Sequence, residues 1–422
     1  MSAPLVTAEP TFVGAVRAKG AAAFAAAGFP TTKNEDWKYT SVAAIADGGF
    51  APAAAPAAHG VTAAALEPFA FGSAVATVVF VNGRFDAALS SVAELPAGVS
   101  VRPMADALRE MPTALEARLG QIAAEQPFTA RNASLMQDGF VVHVAKDVTS
   151  EGPIHVLFVA DHAAKGVELP VRNLIVADRH AKVTVIESFV GLTGAAYFTN
   201  AVTEIAIADG ATVTHLKVQR EGAGAYHVGH IEAKQARDSH LVSFSFAVGA
   251  KLARTNVYTA LAGAGCGATL NGLYLGDGEQ HIDHQTRIEH IEPNCYSREL
   301  YKGILDGASH GVFNGKVYVH PEAQKTDGKQ ENHTLLLNER ANIDTKPQLE
   351  IFADDVKCTH GATVGRMDQT SLFYMKSRGV GAELAKQLLI YAFAADALET
   401  IEDAAVREGL EALVLKRYTG VA

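Results

Sequence analysis

Ala177-Asp178-Arg179-His180-Ala181-Lys182-Val183-Thr184-Val185 is echoed by Ala208-Asp209-Gly210-Ala211-Thr212-Val213-Thr214-His215-Leu216, and a third copy begins at Ala236-Arg237-Asp238-Ser239-His240-Leu241-Val242. The aspartates stand 31 and 29 positions apart. Short Val/Thr/Ile-rich segments recurring every ~30 residues, with no helix between them, predict a β-solenoid with two strands per rung. Inward side chains would stack apolar on the next rung, and Gly, Asn and Asp would take the corners where φ turns positive. A sandwich, jelly roll or propeller are the competing all-β arrangements. Asp306–Phe313 and Glu339–Ile343 continue the texture less regularly.

Outside this region the periodicity is helical. The first ~30 residues predict a helix capped by Thr11, with Phe12, Val16 and Phe24 on one face, stopped at Gly28 and Pro30. Residues 43–66, rich in Ala, Pro and Gly, fit a loose connector. Ala76–Phe85 predicts a hairpin turning at Asn82-Gly83. A helix is expected from Met104 to about Ala124, along Leu108, Met111, Leu115, Leu119 and Ile122. After Met367 two more follow, Ala382 to Phe393 (Leu384, Leu388, Leu389, Ala392) and Leu398 to Tyr418. Helices ending a solenoid would cover an edge that otherwise exposes unpaired backbone groups.

The 422 residues carry 36 Lys and Arg against 46 Asp and Glu, a net charge of −10. Such acidity argues against nucleic acid and anionic membranes as partners. No apolar run is long enough to span a bilayer. The beginning, MSAPLVTAEPTF, lacks the basic and apolar regions of a secretory signal. Three cysteines, Cys266, Cys295 and Cys358, with no CxxC pair, suit a reducing cytoplasm and cannot by themselves supply four thiolates to an iron–sulfur cluster. GxxxxGK[ST], GxSxG and a GxGxxG after a strand are all missing, so no nucleotide site of its own is expected.

Two segments could carry chemistry. In Asp354–Gly365 (DDVKCTHGATVG), Cys358 and His360 are two apart and would face the same side of a strand. They could share one soft or borderline metal, with His360 keeping the thiol partly ionised. The bland alternative makes Val356, Cys358 and His360 an inward core row. In His281–His290 (HIDHQTRIEH), a metal-dependent β-helix or cupin-like enzyme could use His281, His284, Glu289 and His290. Against that, the spacing fits no zinc motif, and His281 and His284 would face opposite ways. Cys266 and Cys295 are expected to be ordinary buried thiols.

Lys33–Thr40 (KNEDWKYT), Asp283–His290, Leu300–Leu305 (LYKGIL), Val312–Val319 (VFNGKVYV), Ala323–Asp327 (AQKTD), Leu335–Leu337, Leu349–Gly365 and Phe373 to Phe393 together resemble the SufB/SufD family, the scaffold proteins of SUF iron–sulfur cluster assembly. The pattern looks like the SufD branch, since SufB-type chains carry more functional cysteines. The resemblance implies a mainly β protein, a right-handed parallel β-helix flanked by N-terminal and C-terminal helical domains. Its divisions would be 1–130, mostly helical with the hairpin; 131–366, the β-helix; and 367–422, a helical domain binding the ATPase SufC. It implies a non-enzymatic scaffold pairing with SufB, or with a second copy of itself in isolation, through the β-helix edge. Cys358 and His360 would then hold iron or a transient iron–sulfur cluster shared with SufB. Phe373, Tyr374, Ser377, Arg378, Gly379, Leu384 and Leu388 would contribute to the SufC contact. A reduced flavin bound by the whole complex has also been proposed for such assemblies. A purely structural partner contributing no ligand is the remaining alternative.

Overall fold

The computed structural model describes residues 9–52, 58–92 and 95–419. Two ten-stranded sheets run side by side along the chain and exchange the backbone at every half-turn. One contains, among others, Val167–Ala177, Phe198–Ile207, Tyr226–Gln235, Leu252–Leu261, His281–His290, His310–Val319 and Asn342–Ile351. The other runs through Lys182–Gly191, Thr212–Arg220, His240–Ala247, Gly267–Gly276, Tyr296–Leu305, Asp327–Leu336 and Lys357–Arg366. Between the ends of the stack each strand pairs in parallel with the strands two before and two after it, so this is the β-solenoid that the ~30-residue repeat predicts.

The repeat owes its length to one corner. Two residues before six successive strands of the second sheet, from Lys182–Gly191 to Asp327–Leu336, the backbone turns left-handed: His180, Gly210, Asp238, Gly265, Asn294 and Lys325 have φ between 55° and 76°. Their amides donate in series to the next rung, for example His180 N to Asp209 O at 2.9 Å, Gly210 N to Arg237 O at 2.9 Å and Asn294 N to Gln324 O at 2.9 Å. The corner therefore satisfies its own backbone groups as a ladder does. Asp and Asn tolerate this conformation well, but His180 and Lys325 show that position in the stack overrides local preference.

The lumen departs from the apolar stacking expected. One inward file reads Val183, Val213, Leu241, Ala268, Ser297, Gly328 and Cys358; the next reads Val185, His215, Ser243, Leu270, Glu299, Gln330 and His360. A third places Glu187 beside Lys217 and continues through Ser245, Gly272, Tyr301 and Asn332. Hydrogen bonding makes this polarity tolerable. Thr203 donates to Glu187 at 2.8 Å, Lys217 to Thr255 at 2.7 Å, and Thr199 to Glu221 at 2.6 Å.

Helices clothe the solenoid. Thr11–Ala27 forms as expected, but Pro10 stands at its start and Thr11 is its first residue, not its cap. The helix expected over Met104–Ala124 is two short ones, Met104–Glu110 and Pro112–Glu116, because Pro112 can begin a helix and cannot continue one. The hairpin forms as Ala76–Val81 and Arg84–Val92 and extends the second sheet through Ile154–Ala160. Residues 43–66 hold two single-turn helices, Ala43–Ala46 and Ala63–Leu66; residues 53–57 lie outside the described residues. After the last strand come Gln369–Ser377, Ala382–Leu398 and Ala404–Thr419. Ile390, Ala394, Leu398, Val406, Leu410 and Val414 pack on Leu216, Phe244, Phe246, Leu273 and Ile304 of the second sheet. Each large apolar side chain so buried contributes about 1.5–3 kcal/mol.

Candidate functional site

The last strand, Lys357–Arg366, pairs only with Asp327–Leu336, and its other edge has no strand beside it among the described residues. Cys358 lies in register with Gly328 and His360 with Gln330, so both belong to the inward rows. Further back, these rows are core. Here the rungs stop and the rows come to the surface, leaving His360 exposed and Cys358 half-buried. The two alternatives in the sequence are thus one arrangement, a core row emerging at an open end. Ile351, Phe352 and Val364 add exposed apolar surface to this end, Phe352 at 56%.

Cys358 packs against a small cluster of Val317, Val319, Ala323 and Ala353. Burial and the Asp327 carboxylate push its thiol above its ordinary range, against a backbone N–H bond from Gly328. The expectation that His360 keeps this thiol ionised is corrected: Cys358 sits in an environment that holds its proton. An imidazole and a thiol suit iron as borderline and soft donors. Two donors do not complete a site, however, and among the described residues no group of three or more His, Cys, Asp or Glu side chains is placed to hold a metal.

The residues of His281–His290 separate across the sheet. His281 faces outward, 2.8 Å from Thr40 Oγ1, while His284 faces the lumen, 3.2 Å from Ser245 Oγ. His290 meets Ser297 at 2.9 Å, and Glu289 is engaged by Arg287 and His320. Burial lowers His281 and His290 to about 4 and His284 to about 3. This geometry converges on no common point, so His281, His284, Glu289 and His290 do not form the shared metal site that the enzyme alternative needs. The segment instead receives the KNEDWKYT stretch. Thr40 donates to Asp283 at 2.6 Å, and Arg254 donates to Asp283 at 2.8 Å and to the Asp36 carbonyl at 2.6 Å.

Two features escaped the sequence. Cys266 and Cys295 are buried free thiols as expected, but they stand on neighbouring rungs, with Cys266 Sγ 2.8 Å from the Ala236 carbonyl and Cys295 Sγ 3.3 Å from the Gly263 carbonyl, and their proximity lowers Cys266 while it raises Cys295. Their separation of one repeat was the available signal. The polar lumen residues Lys217, Glu299 and Gln330 carry no signal of their own, because a polar residue in a strand ordinarily marks the solvent face.

A second surface lies on the C-terminal helices. Gln369–Ser377 buries none of its residues, although Asp368 caps it by accepting from Thr370 N at 3.0 Å and Ser371 N at 3.1 Å. Phe373 is 71% and Tyr374 58% exposed, and Leu384 and Leu388 continue the apolar surface. Ser377 donates to the Tyr374 carbonyl, Arg378 lies over the Tyr374 ring at 5.2 Å, and Gly379 turns the chain at φ 89°. A groove of about 690 Å³ opens beside them, lined by Phe71, Arg220, Leu384 and Leu413.

The family model described as "SUF system FeS cluster assembly, SufBD core domain" matches residues 159–393, and "SufBD protein N-terminal region" matches residues 3–156. The iron-sulfur cluster assembly protein SufD of Escherichia coli (strain K12) is 34% identical over 94% of this chain and 90% of its own. An iron-sulfur cluster assembly SufBD family protein of Synechocystis, slr0076, is 30% identical over 91% of this chain and 86% of its own. Protein ABCI7, chloroplastic, of Arabidopsis thaliana is 27% identical over 90% and 81%. No helix among the described residues is long and apolar enough to cross a membrane.

Proposed function

This chain belongs to the SufBD family of iron–sulfur cluster assembly proteins, and from that premise we propose that it is a cytoplasmic, non-enzymatic SufD-type scaffold that pairs edge to edge with SufB. The observation that carries this reading is the emergence of Cys358 and His360 from the lumen at an unpaired strand edge. An unpaired edge is a template for strand addition. A SufB strand laid there would close both backbones and complete the donor set around the nascent cluster. His360 would be the ligand and Cys358 its neighbour. In isolation the same edge would pair two copies of this chain.

The ATPase SufC would bind the bare helix Gln369–Ser377 and the adjoining groove. Closure of two SufC subunits around ATP would then draw the SufB and SufD helices together and shift the seam between two arrangements. Such coupling requires nucleotide states that differ in affinity for those arrangements. Co-purification with SufB and SufC, followed by iron analysis and cluster absorbance, tests the reading. His360→Ala should leave folding and SufC binding unchanged and reduce cluster loading at least tenfold. Full loading of that variant would leave a purely structural partner as the correct account.

A further inference from the structure

The inward file that ends on His360 holds, one and two rungs behind it, Gln330 and Glu299. Both are buried, Gln330 fully and Glu299 to 3% exposure. Gln330 Nε2 donates to Glu299 Oε2 at 2.6 Å, which commits the amide nitrogen to the rung behind. Its carbonyl oxygen, Oε1, is buried without a partner. An unpaired buried acceptor costs about 1–3 kcal/mol, so its retention calls for an explanation.

Gly315, across the lumen, supplies the space. A Cβ there would lie 2.3 Å from Gln330 Nε2, so no other residue fits without moving the amide. The register partner on the remaining side is His360, about 4.8 Å away along the ladder. His360 is exposed, so core packing does not lock its ring. An imidazole that binds metal through one nitrogen usually donates its other N–H to a fixed acceptor, which sets both tautomer and aim.

We propose that Gln330, pinned by Glu299, is the positioning residue for His360: its carbonyl accepts one ring N–H and leaves the other nitrogen free to face the seam. This rests on the reading of His360 as a ligand. Glu299 works at one remove, by keeping the amide from flipping. Glu299 Oε2 accepts, so it holds the nitrogen side of Gln330.

The test uses the chain co-purified with SufB and SufC, with two readouts: cluster loading by iron analysis, and the ¹⁴N coupling of the coordinated imidazole by pulsed EPR of the reduced cluster. Gln330→Met keeps volume and removes the acceptor; it should lower loading about tenfold and alter the ¹⁴N coupling, as loss of an outer partner does. Glu299→Met should act in the same direction, whereas Glu299→Gln can still accept from Gln330 Nε2 but can also donate, so its effect should be weaker than that of Glu299→Met. Thermal unfolding of each isolated variant separates misfolding from positioning, and the Glu299 pair decides should Gln330→Met not fold. Unchanged coupling in Gln330→Met and Glu299→Met, where His360→Ala abolishes it, overturns this inference alone. Coupling that survives His360→Ala overturns the reading of His360 as well.

Discussion

The guanidinium of Arg254 lies 3.7 Å over the indole of Trp37 while it holds Asp283 at 2.8 Å. Arg254 and Asp283 are each about 1% exposed, so this ion pair is shielded from water. Trp37 continues the contact into Phe128, 5.1 Å away, and through it to Phe198 of the solenoid. The N-terminal segment is thus anchored on the first sheet by one cation that meets Trp37, the Asp36 carbonyl and Asp283 at once.

Removing that cation should therefore be severe. Arg254→Met leaves Asp283 buried and uncompensated, a loss of about 3–5 kcal/mol by the usual cost of breaking a buried pair. Trp37→Ala should cost about as much through the cavity it leaves. Urea unfolding measures both, and amide exchange across residues 33–40 should accelerate. A loss under about 1 kcal/mol for Arg254→Met would show that the docking is incidental.

Acid should destabilise the fold before carboxylates dominate. Burial lowers His155 and His284 to about 3 and His281 and His290 to about 4, so these remain neutral while their unfolded counterparts, near 6.5, take up protons. Stability from each is complete above about pH 6.5 and drains as pH falls toward the folded value. Burial acts oppositely on Asp138 and Glu299, raised to about 6 and about 7, which bind protons first in the folded state. Four histidines against two carboxyls leave a net loss of roughly 2–3 kcal/mol per pH unit between pH 6 and 4.5. Urea midpoints across this window check the slope, and His284→Gln should flatten it by about one proton. A flat profile would contradict the burial of these imidazoles.

How much of this could be read beforehand follows from what each residue must satisfy. The solenoid was legible because its corner recurs in the chain at Asp178, Asp209 and Asp238, one per rung. Cys358 and His360 were legible as neighbours, since strand alternation puts residues two apart on one face. Their emergence at an edge was not, because it depends on where the stack of rungs stops. Lys217 and Glu299 were invisible for a different reason: their partners, Thr255 and Gln330, lie on other strands some 30–40 residues away. Pro112 announced the broken helix, but the run of apolar residues on both sides outweighed it.

Cys358 should be a reluctant nucleophile in the isolated chain. Burial and the Asp327 carboxylate raise its thiol, so alkylation by iodoacetamide should reach half its limiting rate at a higher pH than for a free cysteine. Asp327→Asn should move that midpoint down, and His360→Ala should leave it in place. Cys266 and Cys295, both buried, should stay unmodified over the same period. Peptide mass spectrometry follows all three thiols at once. Half-maximal alkylation of Cys358 below pH 8 would show that another group is drawing its proton.

The helix Gln369–Ser377 offers the sharpest test of the partner surface. A nine-residue helix that buries nothing has little to hold it beyond its Asp368 cap, since short helices in water are marginal. Its amides should therefore exchange rapidly in the free chain and slow at least tenfold when SufC binds. Leu384 lines the groove and Phe373 is exposed on the preceding helix, so Phe373→Glu and Leu384→Glu should cost little in folding. On the partner surface, a charge buried against apolar contacts should weaken SufC binding by about 30-fold or more, the 2 kcal/mol expected of a central interface residue. Titration calorimetry with the ATPase alone separates this from any effect at the proposed SufB seam. Unchanged affinity in both variants would move the contact elsewhere on the molecule and leave the bare helix without a role.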